Sequence, residues 1–383
     1  MKIYFLARLL VLTLILSGCS VNVVQSTAPA PTIVMPTATE RLVTPFPIIA
    51  PTDHAPEPSA TTPPTPAPIQ VAVTWASLNL TGKLVYTAMD STTTTINIQA
   101  LDLATGQLVT VFRASPEGWS DGVVVTPDKK TLTLAYLPPT KAPYGGQELL
   151  YRMPLDSSEA PQLLVTPSTS TDQYFQPAWS PDGKYIYFAH LDIQSMATYE
   201  IMRMAYPDGK PEKLVDHAYW PRTSNDGARL VYVALDPQTG VNSLFVANAD
   251  GTGPHQIPVA GLRAPAVIDA PMFSPDDQSI LFSSPDATQA SVPSLIDRIF
   301  GVVSVLADGT LPSDWWSVPL SGGKARQLTH IQSLALYGNF SPDGKYIASY
   351  SSTGIFVMKP NGTEVTMVVN DVGGIVGTVN WIP

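Results

Sequence analysis

From residue 75 onwards, apolar residues come in short runs with a period of two, broken by Gly, Pro and Asp. Lys184-Tyr185-Ile186-Tyr187-Phe188 is one such run and Leu84-Val85-Tyr86 is part of another. Alternation of this length predicts strands, and the breakers between runs predict tight hairpins. One unit recurs: an aromatic or Val, then Ser or Thr, Pro, Asp, often Gly and Lys, then an alternating run. Its copies are Trp179-Ser180-Pro181-Asp182-Gly183-Lys184, Phe273-Ser274-Pro275-Asp276 and Phe340-Ser341-Pro342-Asp343-Gly344-Lys345. Val125-Thr126-Pro127-Asp128 and Thr223-Ser224-Asn225-Asp226-Gly227 are degenerate copies, and their turns are expected to depart from the rest. Pro presets φ for the first turn position, Asp bonds its own backbone, and Gly takes the left-handed position. These Asp residues therefore read as turn residues. The aromatic ahead of each turn can wedge between neighbouring sheets and bury about 150–250 Å².

A sixth unit is split between the two ends of this region. Trp381-Ile382-Pro383 reads as its first half and Thr81-Gly82-Lys83 as its second. Joining them completes the unit, as a ring of blades closed by its own terminal strands requires. A second motif, a strand ending in a Gly or small polar turn, recurs at Leu103-Gly106, Leu155-Ser158, Tyr206-Gly209, Asn248-Gly251, Leu320-Gly323 and Pro360-Gly362, which also makes six. The expected fold is all-β: a six-bladed β-propeller over residues 75–383, with about 51 residues per blade.

On these motifs the sequence resembles the TolB-like six-bladed β-propellers with WD40-like, PD-type repeats. The resemblance spans Leu78 to Pro383 and rests on the Ser-Pro-Asp-Gly-Lys copies. It implies the scaffold. It transfers no functional residue, because the matched motif is the repeat itself. TolB also has an N-terminal α/β domain, whose place is taken here by a different kind of sequence.

That N-terminal sequence begins with Lys2 and Arg8 around an apolar run, Leu9 to Leu16, too short for a mature membrane span. A basic start, an apolar core and small residues after it read as a secretory signal over residues 1–18. Leu16-Ser17-Gly18-Cys19 resembles the bacterial lipobox, which implies cleavage before Cys19 and lipid attachment to its thiol. The bland alternative is an ordinary signal with an incidental Cys. Cys19 is the only Cys of the chain, which favours lipidation and excludes an intramolecular disulfide framework. Residues 19–74 are rich in Pro, Thr and Ala and read as a disordered linker, reaching about 170 Å if fully extended. A Pro-rich ligand or a glycosylated stalk are the other readings of that stretch. The expected address is extracytoplasmic, on a bacterial membrane, at the cell surface or in the periplasm.

Charge narrows the partners. The whole chain carries −10, and loss of Lys2 and Arg8 takes it to −12. An acidic propeller repels nucleic acid, so no nucleic-acid partner is expected. The five His residues show no metal-ligand spacing, and no Gly-x-Ser-x-Gly marks a hydrolase. No catalytic residue, metal or cofactor is therefore assigned.

Two places on the inter-blade loop face are candidates for binding. Residues ahead of each innermost strand should ring the channel mouth: Asp121, Gln176, Tyr219, Trp220, Arg222, Asp269, Tyr337, Asn339 and Asn380. Aromatics beside polar groups suit sugar or peptide recognition; the alternative is packing between blades. The second place is an apolar insertion in blade five, residues 285–313, with Leu295, Ile296, Ile299, Phe300 and Val303 spaced partly at three and four. It reads as a plug over the channel, an exposed docking patch, or a segment that dips into a membrane. The expected function is a non-enzymatic, membrane-anchored platform for an envelope protein, peptide or glycan. A lactonase- or lyase-like propeller enzyme with a channel-mouth site, or a purely structural envelope lipoprotein, are the alternatives.

Overall fold

The computed structural model describes residues 68–90, 92–194, 199–262, 266–285, 311–373 and 377–383, and of Asp121 the backbone alone. The signal segment, Cys19, the linker up to residue 67, and Leu295, Ile296, Ile299, Phe300 and Val303 lie outside the described residues. The rest forms six antiparallel sheets of four strands in meander order, the first with a fifth strand at its outer edge, and a short parallel pair of Val259–Ala260 with Gly323–Lys324. This is the six-bladed β-propeller that the repeats predict. The described residues hold no α-helix, only a single 3-10 turn at Ala76–Leu78.

Blade one is built from both ends of this region. Val379–Ile382 pairs antiparallel with Lys83–Met89, in the register Lys83↔Ile382, Leu84↔Trp381, Val85↔Asn380 and Tyr86↔Val379. Val379, Trp381 and Ile382 are buried, and the Trp381 indole N–H donates to Thr81 O at 2.9 Å. Gly82, at φ +84°, lets the chain pass the closing strand: a Cβ there would sit 2.2 Å from Ile382 O. The same strand reaches into blade two. The Thr378 hydroxyl and Asn380 amide bond Val123 O at 2.8 and 2.7 Å, and they accept from Val123 N and Val125 N. These side chains stand in for a strand ladder between two blades whose backbones do not pair.

The described residues begin within the segment read as linker. Ile69–Gln70 pairs with Leu108 and Gln107 on the outer edge of blade one. Trp75 is buried, its indole N–H on Leu103 O at 2.8 Å. The pairing register places Ile69 and Gln70 on the outer wall of blade one.

Four of the five recognisable repeat turns share one bonding pattern; the blade-two turn departs from it, as expected, whereas the blade-four turn keeps it. The Ser180, Ser274 and Ser341 hydroxyls donate to Asp182, Asp276 and Asp343 at 2.6–2.7 Å. Each Asp accepts a backbone N–H two residues on, and each Ser hydroxyl accepts one five residues on. Ser224 and Asp226 do the same, whereas in blade two the Thr126 hydroxyl also donates to Asp128 but Asp128 takes the N–H groups of both Lys130 and Thr131. The left-handed position is Gly183, Gly227 and Gly344 in three turns, but Lys129 and Asp277 in blades two and five.

The departures in blades four and five explain one another. Asn225 stands where other turns have Pro, so its backbone N–H survives and donates to Asp277 Oδ1 at 3.0 Å. Its side chain adds a bond to Asp277 at 2.7 Å and another to Ser274 O at 2.9 Å. Asp277 thus accepts left-handed strain in exchange for tying blade four to blade five. Two Gly substitutions should diverge. Lys129→Gly relieves strain with no bond lost and should raise stability by up to about 1 kcal/mol. Asp277→Gly also removes the inter-blade acceptor and should lower stability by about 1–2 kcal/mol. Urea denaturation of the two variants checks this, and a shared sign would contradict it.

The turns also set an acid limit. The Lys184 ammonium and then the Ser180 hydroxyl hold the Asp182 carboxyl at about 2. The Ser341 hydroxyl and then Lys345 hold Asp343 at about 2. Asp226 and Asp276 are lowered chiefly by Ser224 and Ser274. A carboxyl depressed by folding contributes stability above its unfolded value near 4, and that contribution is lost as pH falls through its folded value. Thermal scans should show a Tm that is flat above about pH 5 and falls between about pH 4 and 2.

The core lies between blades. Trp179, ahead of its turn, is buried, and its indole N–H donates to Thr133 Oγ1 of blade two at 3.0 Å. Trp315 of blade five reaches Ser349 Oγ of blade six at 2.8 Å. Phe273 is buried in the same way, whereas Phe340 is only half-buried.

Candidate channel site and loop face

The innermost strands of blades three, four and five carry a bulge next to a Pro. Gln176, Trp220 and Ala270 have φ +53°, +55° and +45°, followed by Pro177, Pro221 and Pro271. The pairing registers shift beside each of them. Pro lacks the N–H that a ladder needs, so a bulge on a strand facing the channel tolerates it. The bulge brings consecutive residues to the channel wall: Phe175, Gln176 and Pro177 from blade three, and Trp220, Pro221 and Arg222 from blade four.

These residues narrow the channel. Arg222 crosses from blade four to blade six, where its Nη2 donates to Gly338 O at 2.9 Å. Its guanidinium lies over the Tyr337 ring at 4.4 Å, and Trp220 leans on the same ring at 5.8 Å. Gln176 Oε1 accepts from Trp220 N at 2.8 Å. Burial pushes the Tyr337 hydroxyl up, with Arg222 opposing through its charge and a hydrogen bond. What remains is a cavity of about 40 Å³, far below the 300–1,000 Å³ of a small-molecule pocket.

The structure thus brings Gln176, Trp220, Arg222 and Tyr337 together. It places the other candidates elsewhere. Asn380 is spent between blades one and two, as described above. Tyr219 is buried against the Tyr199 ring at 5.5 Å. Asp269 is buried where its strand pairs with Ser283. Asn339 is half-buried and pairs with Ala348. Asp121 lies in the inner strand of blade two, its side chain outside the described residues.

A polar cluster on the loop-side edge of blade three has no counterpart among the expected sites. His190 Nε2 meets Asp172 Oδ1 at 3.0 Å and Nδ1 meets Glu200 Oε2 at 3.3 Å. Lys213 extends the row to Glu200 and Asp216 at 3.1 and 2.7 Å. Burial works to raise the Asp172 carboxyl, but bonds led by the Thr169 N–H and His190 outweigh it and hold it low. Both ring nitrogens of His190 are engaged, so the cluster braces the rim. Only the strand register, His190↔Glu200, makes it visible.

The two faces differ. On the turn face, the repeat turns are short and bonded to themselves. A groove of about 470 Å³ between blades three and four opens there, lined by the turn residues Asp182, Asp226 and Asp250 and by Arg203. On the loop face, residues 138–148 separate two strands of blade two and present Tyr144, 41% exposed. The insertion of blade five is rooted on the same face by the pair Pro285↔Ser313. Among the described residues, no group of three or more His, Cys, Asp or Glu is placed to hold a metal ion. No helix among them is long and apolar enough to cross a membrane.

No protein-family model matches this sequence, and no curated protein matches it. Solved structures do. TolB from Acinetobacter baumannii is similar with a TM-score of 0.56 and 16% identity, over 79% of this chain and 67% of that one. The fold is that of a TolB-like propeller. Kuenenia stuttgartiensis hydrazine synthase gives 0.55 and 12%, over 76% of this chain and 45% of that one. A chain of the nidogen/laminin complex gives 0.54 and 10%, over 78% and 97%. Identities this low establish the architecture of the TolB-like propeller and leave its ligands to be argued from its own residues.

Proposed function

We propose that this protein is a non-enzymatic, extracytoplasmic binding platform, lipid-anchored through Cys19 and joined to its propeller by the Pro/Thr-rich linker. It recognises an envelope protein, peptide or glycan through the loop face. The observation that supports this reading most is the asymmetry of the faces. The Ser hydroxyls and Asp carboxylates of the repeat turns are spent within the turns themselves, and Asp277 on the turn of the neighbouring blade. The loop face carries the long loop 138–148 and the root of the apolar insertion. Long loops on a rigid scaffold are where binding residues concentrate. The nidogen/laminin complex is an assembly in which a propeller of this architecture occurs. Leu295, Ile296, Ile299, Phe300 and Val303 are the proposed docking residues of the insertion.

The test is a crosslinking pull-down from native membranes, with the full tagged chain beside a chain whose residues 286–312 are replaced by a Gly-Ser loop. Capture by the full chain alone, with both chains showing the same thermal transition, supports docking through the insertion. Equal capture by both removes the insertion from the reading.

A further inference from the structure

Arg222 is the only charged side chain on the wall of the channel cavity among the described residues. It has no acidic partner among them. Its contacts are a carbonyl, Gly338 O at 2.9 Å, and the face and hydroxyl of Tyr337. Cations on the outer strands of blade three are paired by contrast: Arg203 with Glu212, and Lys213 with Glu200 and Asp216. Carbonyl and ring supply only partial negative charge, so the half-buried guanidinium keeps its attraction for a full counter-charge.

Two further groups on the same wall are short of acceptors. The indole N–H of Trp220 is buried and has no partner among the described residues. Gln176 holds its oxygen on Trp220 N, which leaves its amide N–H groups to donate. Among the described residues, the unspent polar groups around the cavity are therefore donors, and one of them carries a full positive charge. Such a set is complementary to an anion.

We propose that the channel cavity is an anion site that receives a carboxylate of a ligand docked on the loop face. The inference rests on the loop-face reading above. The cavity of about 40 Å³ admits one such group and not a whole ligand. The group must therefore arrive on a slender stem, as an acidic side chain or a chain terminus of a peptide does. A sugar acid, whose carboxylate sits directly on a ring, fits less well.

The experiment titrates acetate into the full chain at constant ionic strength, following tryptophan fluorescence and Tm. It is repeated with glucuronate, and with bromide in crystals. Saturable acetate binding is expected, with bromide beside Arg222 and Trp220. Arg222→Met should abolish binding, and Trp220→Phe, which removes the N–H and keeps an aromatic ring, should weaken it about tenfold. No saturable effect at about 0.1 M acetate, far above a millimolar Kd, would overturn the site. So would unchanged affinity in Trp220→Phe, which keeps the test open if Arg222→Met does not fold. Glucuronate binding tighter than acetate would overturn the peptide assignment. If acetate binds but Arg222→Met captures the membrane partner as well as the parent chain does, the carboxylate contact fails and the loop-face reading stands.

Discussion

A chain lacking residues 379–383 is expected to lose its cooperative thermal transition altogether. The deletion removes the innermost strand of blade one, with its four pairs to Lys83–Met89. It exposes the inner faces of Leu84 and Tyr86, which are almost fully buried in the closed ring. It also removes the Asn380 side chain, one of two that bond the backbone of Val123 and Val125 in blade two. A ring opened at one joint leaves two blade faces in water, so the loss spreads beyond blade one. At about 25 cal/mol per Å² of apolar surface, exposing several large side chains approaches the whole 5–15 kcal/mol that holds a typical protein folded. Calorimetry on the truncated chain reads this directly. A single transition within a few degrees of the full chain would show that the ring closes by other contacts.

The second large effect is expected at Asp314. Its side chain is fully buried at the root of the insertion. Oδ1 accepts from Ile331 N at 2.6 Å, Thr329 Oγ1 at 3.0 Å and Gln332 N at 3.3 Å, and Oδ2 from Gln327 Nε2 at 3.3 Å. One carboxylate thus orders the connection from blade five to blade six, next to the bridge Ser313↔Ser333. Asp314→Ala leaves several donors without an acceptor and should cost about 3 kcal/mol or more. Asp314→Asn keeps one acceptor oxygen but turns an amide N–H₂ towards donors, and should cost about half as much. Urea denaturation of both variants, with the order Ala worse than Asn, checks the assignment. Equal and small losses would show that the loop holds itself.

The turn chemistry was legible in the sequence because each Ser-Pro-Asp-Gly turn is built within six residues. Local hydrogen bonding needs no knowledge of the neighbours. Ring closure was legible for a related reason: Trp381-Ile382 and Thr81-Gly82-Lys83 are halves of a unit whose other copies are intact. What joins one blade to the next was not. Asn225 and Asp277 read as two unrelated defects until the fold sets them side by side. His190 meets Asp172 and Glu200 only through the register of three strands. Asn380 looked like a channel residue by alignment, yet the closing strand turns it into the gap between blades one and two. One signal was available and went unread. Pro177, Pro221 and Pro271 each stand four residues ahead of the repeat's Pro position. A Pro inside a strand marks a bulge or an edge, and here it marks where Gln176 and Trp220 enter the channel.

The central claim is that recognition uses the loop face of the propeller. The most direct measurement places a photo-crosslinking residue at Tyr144, exposed on the loop face, and in a second protein at Lys184, exposed on the turn face. Both full-length proteins are irradiated in native membranes and their adducts compared. A partner adduct at position 144 that is absent at position 184 is the expected result. An adduct at position 184 alone would place recognition on the turn face and contradict the account.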